Sequence, residues 1–229
     1  MKTIGLIGGM SWESTVDYYK IINTYIKNTL GGLHSAKCML YSVDFDEIEK
    51  YQSRGEWDKA GEVLAKAAQS LERGGADFII LCTNTMHKNA EIISSSIQIP
   101  FLHIVAFTAQ QLISDGVTKV GLLGTKYTME EDFYKSKLID AGIQVVIPSG
   151  VEREFVNKVI FEELCLGERK ESSKDGYIKI INSFKEQEVE AVILGCTEIG
   201  MLIKGEECSL PLYDTTLIHA IGAAKYALK

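Results

Sequence analysis

The stretch Phe78-Ile-Ile-Leu-Cys-Thr-Asn-Thr-Met-His87 carries the pattern that decides the fold. Residues 78–81 are a continuous apolar run, too short for a helix and introduced by Gly74-Gly75, so they predict a buried parallel strand. Thr83, Asn84 and Thr85 are N-cap residues for a helix that should follow. Cys82 is then placed at the carboxyl end of a strand and beside a helix N-terminus. Open α/β sheets bind ligands there, and thiol pKa values fall there. Val192-Ile-Leu-Gly-Cys-Thr-Glu198 repeats the pattern around Cys196.

Working outward, residues 3–7 predict a first strand and Gly8-Gly9-Met10-Ser11 a turn, with Ser11 capping a helix that ends at Gly31-Gly32. A second strand over 37–43 leads into an acidic connector, 44–49, and an amphipathic helix covers 60–71. A helix over 87–95 and a short strand over 99–103 complete the series. Then the order restarts. Lys119-Val-Gly-Leu-Leu-Gly-Thr125 echoes Thr3-Ile-Gly-Leu-Ile-Gly-Gly9, and Leu210-Pro-Leu-Tyr213 echoes Ile99-Pro-Phe-Leu102. The separation of Gly5 from Cys82 nearly equals that of Gly121 from Cys196. The expected fold is therefore α/β, with two similar lobes that each hold a small parallel sheet. The first spans 1–105, with a C-terminal helix at 215–229 packing on it, and the second spans 106–214. Lobes related by a pseudo-twofold axis would set Cys82 and Cys196 on opposite walls of a cleft. Inverting a stereocentre by proton transfer needs that arrangement, a base on one face and an acid on the other.

Composition narrows the function classes. The 229 residues carry a formal net charge of −7 and scattered Lys and Arg, which argues against a nucleic-acid partner. There is no signal-peptide layout and no apolar run of membrane-spanning length. Five cysteines without a CxxC pair do not form a disulfide framework, and a cytoplasmic setting is expected.

Each candidate residue has a plainer reading beside the chemical one. Buried cysteines are commonly small hydrophobes, but the duplicated strand–Cys–Thr–polar context favours chemistry at Cys82 and Cys196. Cys38, Cys165 and Cys208 lack that context. Gly5-Leu-Ile-Gly-Gly-Met10 lacks the G-x-G-x-x-G spacing, so no nicotinamide cofactor is expected, and Ser11 with nearby amides suits an anion instead. Asn84, Thr85, Thr125 and Thr197 are neutral donors at matching places, suited to an α-carboxylate and α-ammonium or simply to capping. His87 raises a Cys-His hydrolase pairing, yet its spacing from Cys82 turns the ring away from the strand end. His34, His103 and His219 form no metal-ligand pattern, so no metal is expected. Glu198 suits orienting a thiol, binding an ammonium or compensating a helix dipole. The acidic residues Asp44, Asp46, Glu47 and Glu49 read as a solvated loop that would also disfavour acidic side chains.

The segments Gly-Gly-Met-Ser-Trp-Glu-Ser-Thr at 8–15, Leu-Cys-Thr-Asn-Thr-Met-His at 81–87, Leu-Leu-Gly-Thr-Lys-Tyr-Thr-Met at 122–129 and Gly-Cys-Thr-Glu-Ile-Gly at 195–200 closely resemble the aspartate/glutamate racemase family. The resemblance is strongest to its broad-specificity amino-acid racemase branch. It implies Rossmann-like lobes, cofactor-independent racemisation by a cysteine pair, and homodimers. It also implies that Asn84, Thr85, Thr125 and Thr197, with the Met10-Ser11 turn, bind the substrate's amino and carboxylate groups. Relatives devoted to aspartate carry a basic residue after the second strand and Tyr-x-x-x-Lys on a later helix. This chain has Asp44-Phe-Asp-Glu47 and Phe161-Glu-Glu-Leu-Cys165 instead. Glutamate racemases carry His where Glu198 stands. Neutral or weakly polar amino acids are therefore expected to be turned over at least as well as aspartate, with Arg54, Lys126 and Arg153 the cations nearby in sequence that could substitute as a clamp or be plain surface charge. The rival readings are an aspartate/glutamate-specific racemase, a two-cysteine isomerase of small dicarboxylates of the maleate type, and a non-catalytic small-ligand-binding protein.

Overall fold

A computed structural model describes all 229 residues, Met1–Lys229. The chain divides into two compact units, Met1–Ile104 with His219–Lys229, and Val105–Ile218. Each is built on one four-stranded parallel sheet, and the two sheets share a strand order, second–first–third–fourth in chain order.

In the first unit the strands are β1 (Ile4–Gly8), β2 (Cys38–Ser42), β3 (Phe78–Leu81) and β4 (Phe101–Leu102). The helices are α1 (Trp12–Leu30), α2 (Phe45–Ser53), α3 (Trp57–Arg73) and α4 (Ala90–Ser95). Side chains alternate between the two faces of the sheet with period two. Ile4, Leu6, Phe78, Ile80 and Cys82 share one core with Tyr18 and Ile22 of α1. Ile7, Ile79 and Leu81 share the other with Ala60, Leu64 and Ala68 of α3. Ala220, Ala223, Ala224 and Ala227 of the last helix join the first of these cores.

The second unit holds β5 (Lys119–Gly124), β6 (Gln144–Val146), β7 (Ala191–Gly195) and β8 (Leu212–Asp214). Its helices are α6 (Lys126–Glu130), α7 (Asp132–Asp140), α8 (Gly150–Glu162), α9 (Glu171–Ser183) and α10 (Ile199–Leu202). The chain passes between the units within α5 (Ile104–Ser114) and α11 (Thr215–Ala227). The principal core unites Leu123, Val192, Leu194 and Cys196 with Val156 and Ile160 of α8 and Tyr177 and Ile181 of α9. No helix is long and apolar enough to cross a membrane.

Two expectations need correction. The acidic connector is helical: Asp44 accepts the Asp46 amide at 3.1 Å as N-cap of α2, and Lys50 pairs with Asp46 one turn on. The spacing Asp44-x-x-Glu47 is a helix-start signature that the charge run obscures. Nor does an α-helix follow Cys82. Residues Thr85–Asn89 form a 3-10 turn, and α4 starts only at Ala90.

The reason is local. The imidazole Nδ1 of His87 takes the Thr83 carbonyl at 2.7 Å, and the His87 amide closes on Asn84 O at 3.0 Å. A side chain thus takes up the carbonyl four residues back, and the backbone tightens to an i→i−3 turn.

Candidate active site

In the first unit the candidate residues gather at the carboxyl ends of β1 and β3. The ladder between these strands continues through Cys82, whose amide donates to Ile7 O at 2.8 Å. Gly9 follows β1 with φ +96, a conformation that suits glycine, and its Cβ-free surface faces the Val43 backbone. Met10 and Ser11 are buried after it. Ser11 caps α1 by accepting the Ser14 amide at 3.4 Å. Thr15, which the sequence reading passed over, ties the turn: its Oγ1 accepts from Gly9 N at 2.9 Å and donates to Ser11 O at 2.8 Å. Its only sequence signal is a hydroxyl one turn beyond a capping serine.

Asn84 and Thr85 are buried beside Cys82. Asn84 has αR backbone angles and makes no side-chain cap bond, so the capping role read for it is not the one it plays.

His87 is held as a neutral ring. Nε2 accepts the Ile104 amide at 3.1 Å, so Nδ1 carries the hydrogen donated to Thr83 O. Burial, then the neighbouring His103 and His219 rings, pull its pKa well below the usual histidine range. With both nitrogens engaged, His87 braces the Cys82 loop and does not serve as a base for it.

In the second unit the site lies at the ends of β5 and β7. Gly195 is placed by close packing: a Cβ there would lie 2.9 Å from Leu123 O and from Leu122 Cδ1. Thr125 caps α6, accepting the Thr128 amide at 3.3 Å, and Thr128 is fully buried beneath the Gly124–Gly195 pair. Thr128 was also missed, although it occupies the first helical turn after its strand, as Thr15 does. Cys196 points its thiol at Glu198 Oε2 over 2.9 Å, and Thr197 donates its hydroxyl to the same oxygen at 2.8 Å. Thr215 donates to Leu194 O at 2.8 Å and closes the end of β7.

The expected lowering of both thiols is not found. Burial alone pushes Cys82 far up. Cys196 is pushed far up by burial first, then by the charges of Glu198 and Cys165. Only a five-residue 3-10 turn follows Cys82 and a four-residue helix follows Cys196. Such short elements have too little dipole to offset desolvation. Cys165, set aside in the sequence, packs on the core that holds Cys196.

The two cysteines also differ in packing. Gly5 is paired with Ile79, three residues before Cys82, whereas Gly121 is paired with Val192, four before Cys196. A one-residue offset reverses the sheet face. Cys82 accordingly joins the core of α1 and α11, and Cys196 that of α8 and α9.

Each of the two parallel sheets, alike in strand order, has a buried cysteine directly after its third strand. The chain belongs to the Asp/Glu/hydantoin racemase family, whose sequence profile matches residues 7–222. Among solved structures it is similar to a candidate Asp/Glu racemase from Yersinia pestis, at 52% identity and TM-score 0.93 over 100% of both chains. An aspartate racemase homologue from Pyrococcus horikoshii OT3 matches at 35% identity and TM-score 0.85, again over 100% of both. The broad specificity amino-acid racemase RacX of Bacillus subtilis (strain 168) is 24% identical over 226 residues, 93% of this chain and 92% of the relative.

Proposed function

We propose that this protein is a cofactor-independent amino-acid racemase of broad specificity that uses Cys82 and Cys196 as its two acid–base groups. The observation that carries the reading is the pair of buried thiols, one ending the third strand of each sheet. One sulfur, as thiolate, takes the Cα proton. The other, as thiol, gives a proton to the opposite face of the carbanion, so the Cα–H bond is remade with inverted configuration. Asn84, Thr85, Thr125 and Thr197, with the Met10-Ser11 turn, are the groups proposed to hold the substrate's carboxylate and ammonium. A closed site suits the chemistry, because neutral donors stabilise a developing carbanion more strongly away from water. The reading also takes the working form to be a cytoplasmic homodimer.

The specificity rests on charge. Arg153 is engaged with Glu130 at 2.9 Å and with Pro148 O at 2.7 Å, and the Lys126 ammonium sits 5.2 Å from the Tyr127 ring centroid. Arg54 is exposed at the end of α2. None of these contacts resembles a clamp prepared for a second carboxylate, while Asp46 and Glu47 occupy the region where a cation was expected. The likeness to the Pyrococcus horikoshii protein favours a second reading, aspartate specificity.

The test is deuterium uptake at Cα in heavy water across a panel of amino acids. The proposal expects label in several neutral amino acids, in both enantiomers. Label in aspartate alone supports the second reading, and label in none defeats both.

A further inference from the structure

One hydroxyl at the carboxyl end of the second sheet has no partner in the protein. Thr216 is 3% exposed, and its Oγ1 is wholly buried without a hydrogen bond. The other threonines named at that end are engaged: Thr125 with Thr128, Thr197 with Glu198, and Thr215 with Leu194 O. Thr216 stands in the first turn of α11, where no preceding helical turn offers a carbonyl to its hydroxyl. A buried hydroxyl left unbonded destabilises the fold, so its presence needs a reason.

Packing is not that reason. Counted from Pro211 and Pro100, the same place in the duplicated order holds Val105, which is fully buried. Valine has the shape of threonine without the polar atom, so an apolar side chain fills such a place. The position of Thr216 is that of a site residue. Leu194 pairs with Asp214 in the sheet, and Cys196 and Thr216 each follow two residues later, within one compact unit. Asp214 sets the charge there. Its Oδ1 accepts the amides of Thr216 at 2.9 Å and Leu217 at 3.3 Å, which brings a carboxylate against the threonine.

We propose that Thr216 is a substrate-binding residue whose Oγ1 accepts a hydrogen bond from the α-ammonium of an amino acid. An ammonium offers three donors, and a hydroxyl oxygen has two lone pairs to receive them. The Asp214 carboxylate favours a cation at this place and opposes the substrate's own carboxylate. The hydroxyl is thus held back from the fold for the ligand. The choice of an amino acid as that ligand rests on the racemase reading.

The test measures binding and stability in one set of variants. Isothermal titration calorimetry gives Kd for racemic methionine and racemic aspartate, and for the same molecules without the amino group, 4-(methylthio)butanoate and succinate. Native protein should bind at least one of the two amino acids about tenfold or more tightly than its deamino analogue. Thr216→Val should weaken that amino acid about tenfold and leave the analogue within about twofold. Thr216→Ser keeps the oxygen and should stay near native. In urea, ligand-free Thr216→Val should unfold at the native midpoint or above it, because the hydroxyl it lost had no partner.

A Thr216→Val protein that binds the amino acid like native, or loses the analogue equally, would overturn the proposal. A lower urea midpoint would also overturn it, since the hydroxyl would then serve the fold, and so would native protein that binds neither amino acid. The racemase reading is judged separately, by deuterium uptake at Cα. Native protein with the expected binding pattern but no exchange keeps the ammonium site and removes the racemase reading. Racemisation with an unchanged KM in Thr216→Val does the reverse.

Discussion

Tyr18 donates its hydroxyl hydrogen to Nδ1 of His219 across 3.0 Å, joining the first helix of the chain to the last in the core of one unit. Nε2 of the same ring donates to Leu102 O at 3.0 Å, so His219 is held neutral with both nitrogens satisfied. The His87 ring lies 6.1 Å away, centroid to centroid, and is also neutral. This end of the sheet is therefore braced by two uncharged imidazoles, His87 and His219.

Burial pulls the His219 pKa from 6.5 down to about 4, against a smaller opposing effect of the Leu102 carbonyl. The unfolded chain thus binds this proton more tightly than the folded one. Stability is fully present above pH 6.5 and is lost as pH falls towards about 4. The loss from His219 alone is about 3 kcal/mol, and His87 adds in the same direction. Urea unfolding at a series of pH values measures it. His219→Gln should flatten the slope, and an unchanged slope would remove His219 from the account.

Cys82→Ala and Cys196→Ala should each reduce racemisation by about a thousandfold or more while leaving the fold intact at a cost of about 1 kcal/mol. An irreversible half-reaction separates their roles. Elimination of chloride from a β-chloro amino acid should fail with one enantiomer in one variant and with the other enantiomer in the other. Loss of both enantiomers in one variant, with neither lost in the second, would sink the two-base account.

Thiol reactivity should run opposite to catalytic importance. Cys38 and Cys208 are half-buried, and desolvation raises both only in part, whereas Cys82 is fully buried and pushed much further up. At neutral pH, iodoacetamide should label Cys38 and Cys208 first without loss of turnover. Inactivation should follow the slower labelling of the catalytic pair. Inactivation that keeps pace with Cys38 or Cys208 would contradict this order.

For specificity, kcat/KM for homoserine and methionine should equal or exceed that for aspartate and glutamate, measured for both enantiomers under one set of conditions. A second carboxylate needs a cation, and Arg153 is already committed to Glu130 and Pro148. A preference for an acidic substrate above about a hundredfold, roughly 3 kcal/mol of transition-state binding, would refute the neutral pocket. Arg54→Ala and Lys126→Ala would then identify the clamp.

The sequence by itself determined the strand inventory around the site and the duplication. Short apolar runs ending in Gly or Cys, as at 78–82 and 191–196, can satisfy their backbone groups and bury both faces only inside a parallel sheet. Polar residues just past those strand ends are equally readable, because a buried hydroxyl there needs either a helix terminus or a ligand. Tertiary structure decided what those residues do. Whether Asn84 caps a helix depended on His87 capturing the Thr83 carbonyl, a contact that exists only once Ile104 anchors the other ring nitrogen. The pKa of each thiol depended on desolvation by the assembled cores, which outweighs two very short helical turns. The sheet face on which each cysteine is buried followed from a one-residue difference in pairing between strands far apart in the chain. Local pattern cannot encode that register, because it is chosen by the packing of the whole layer.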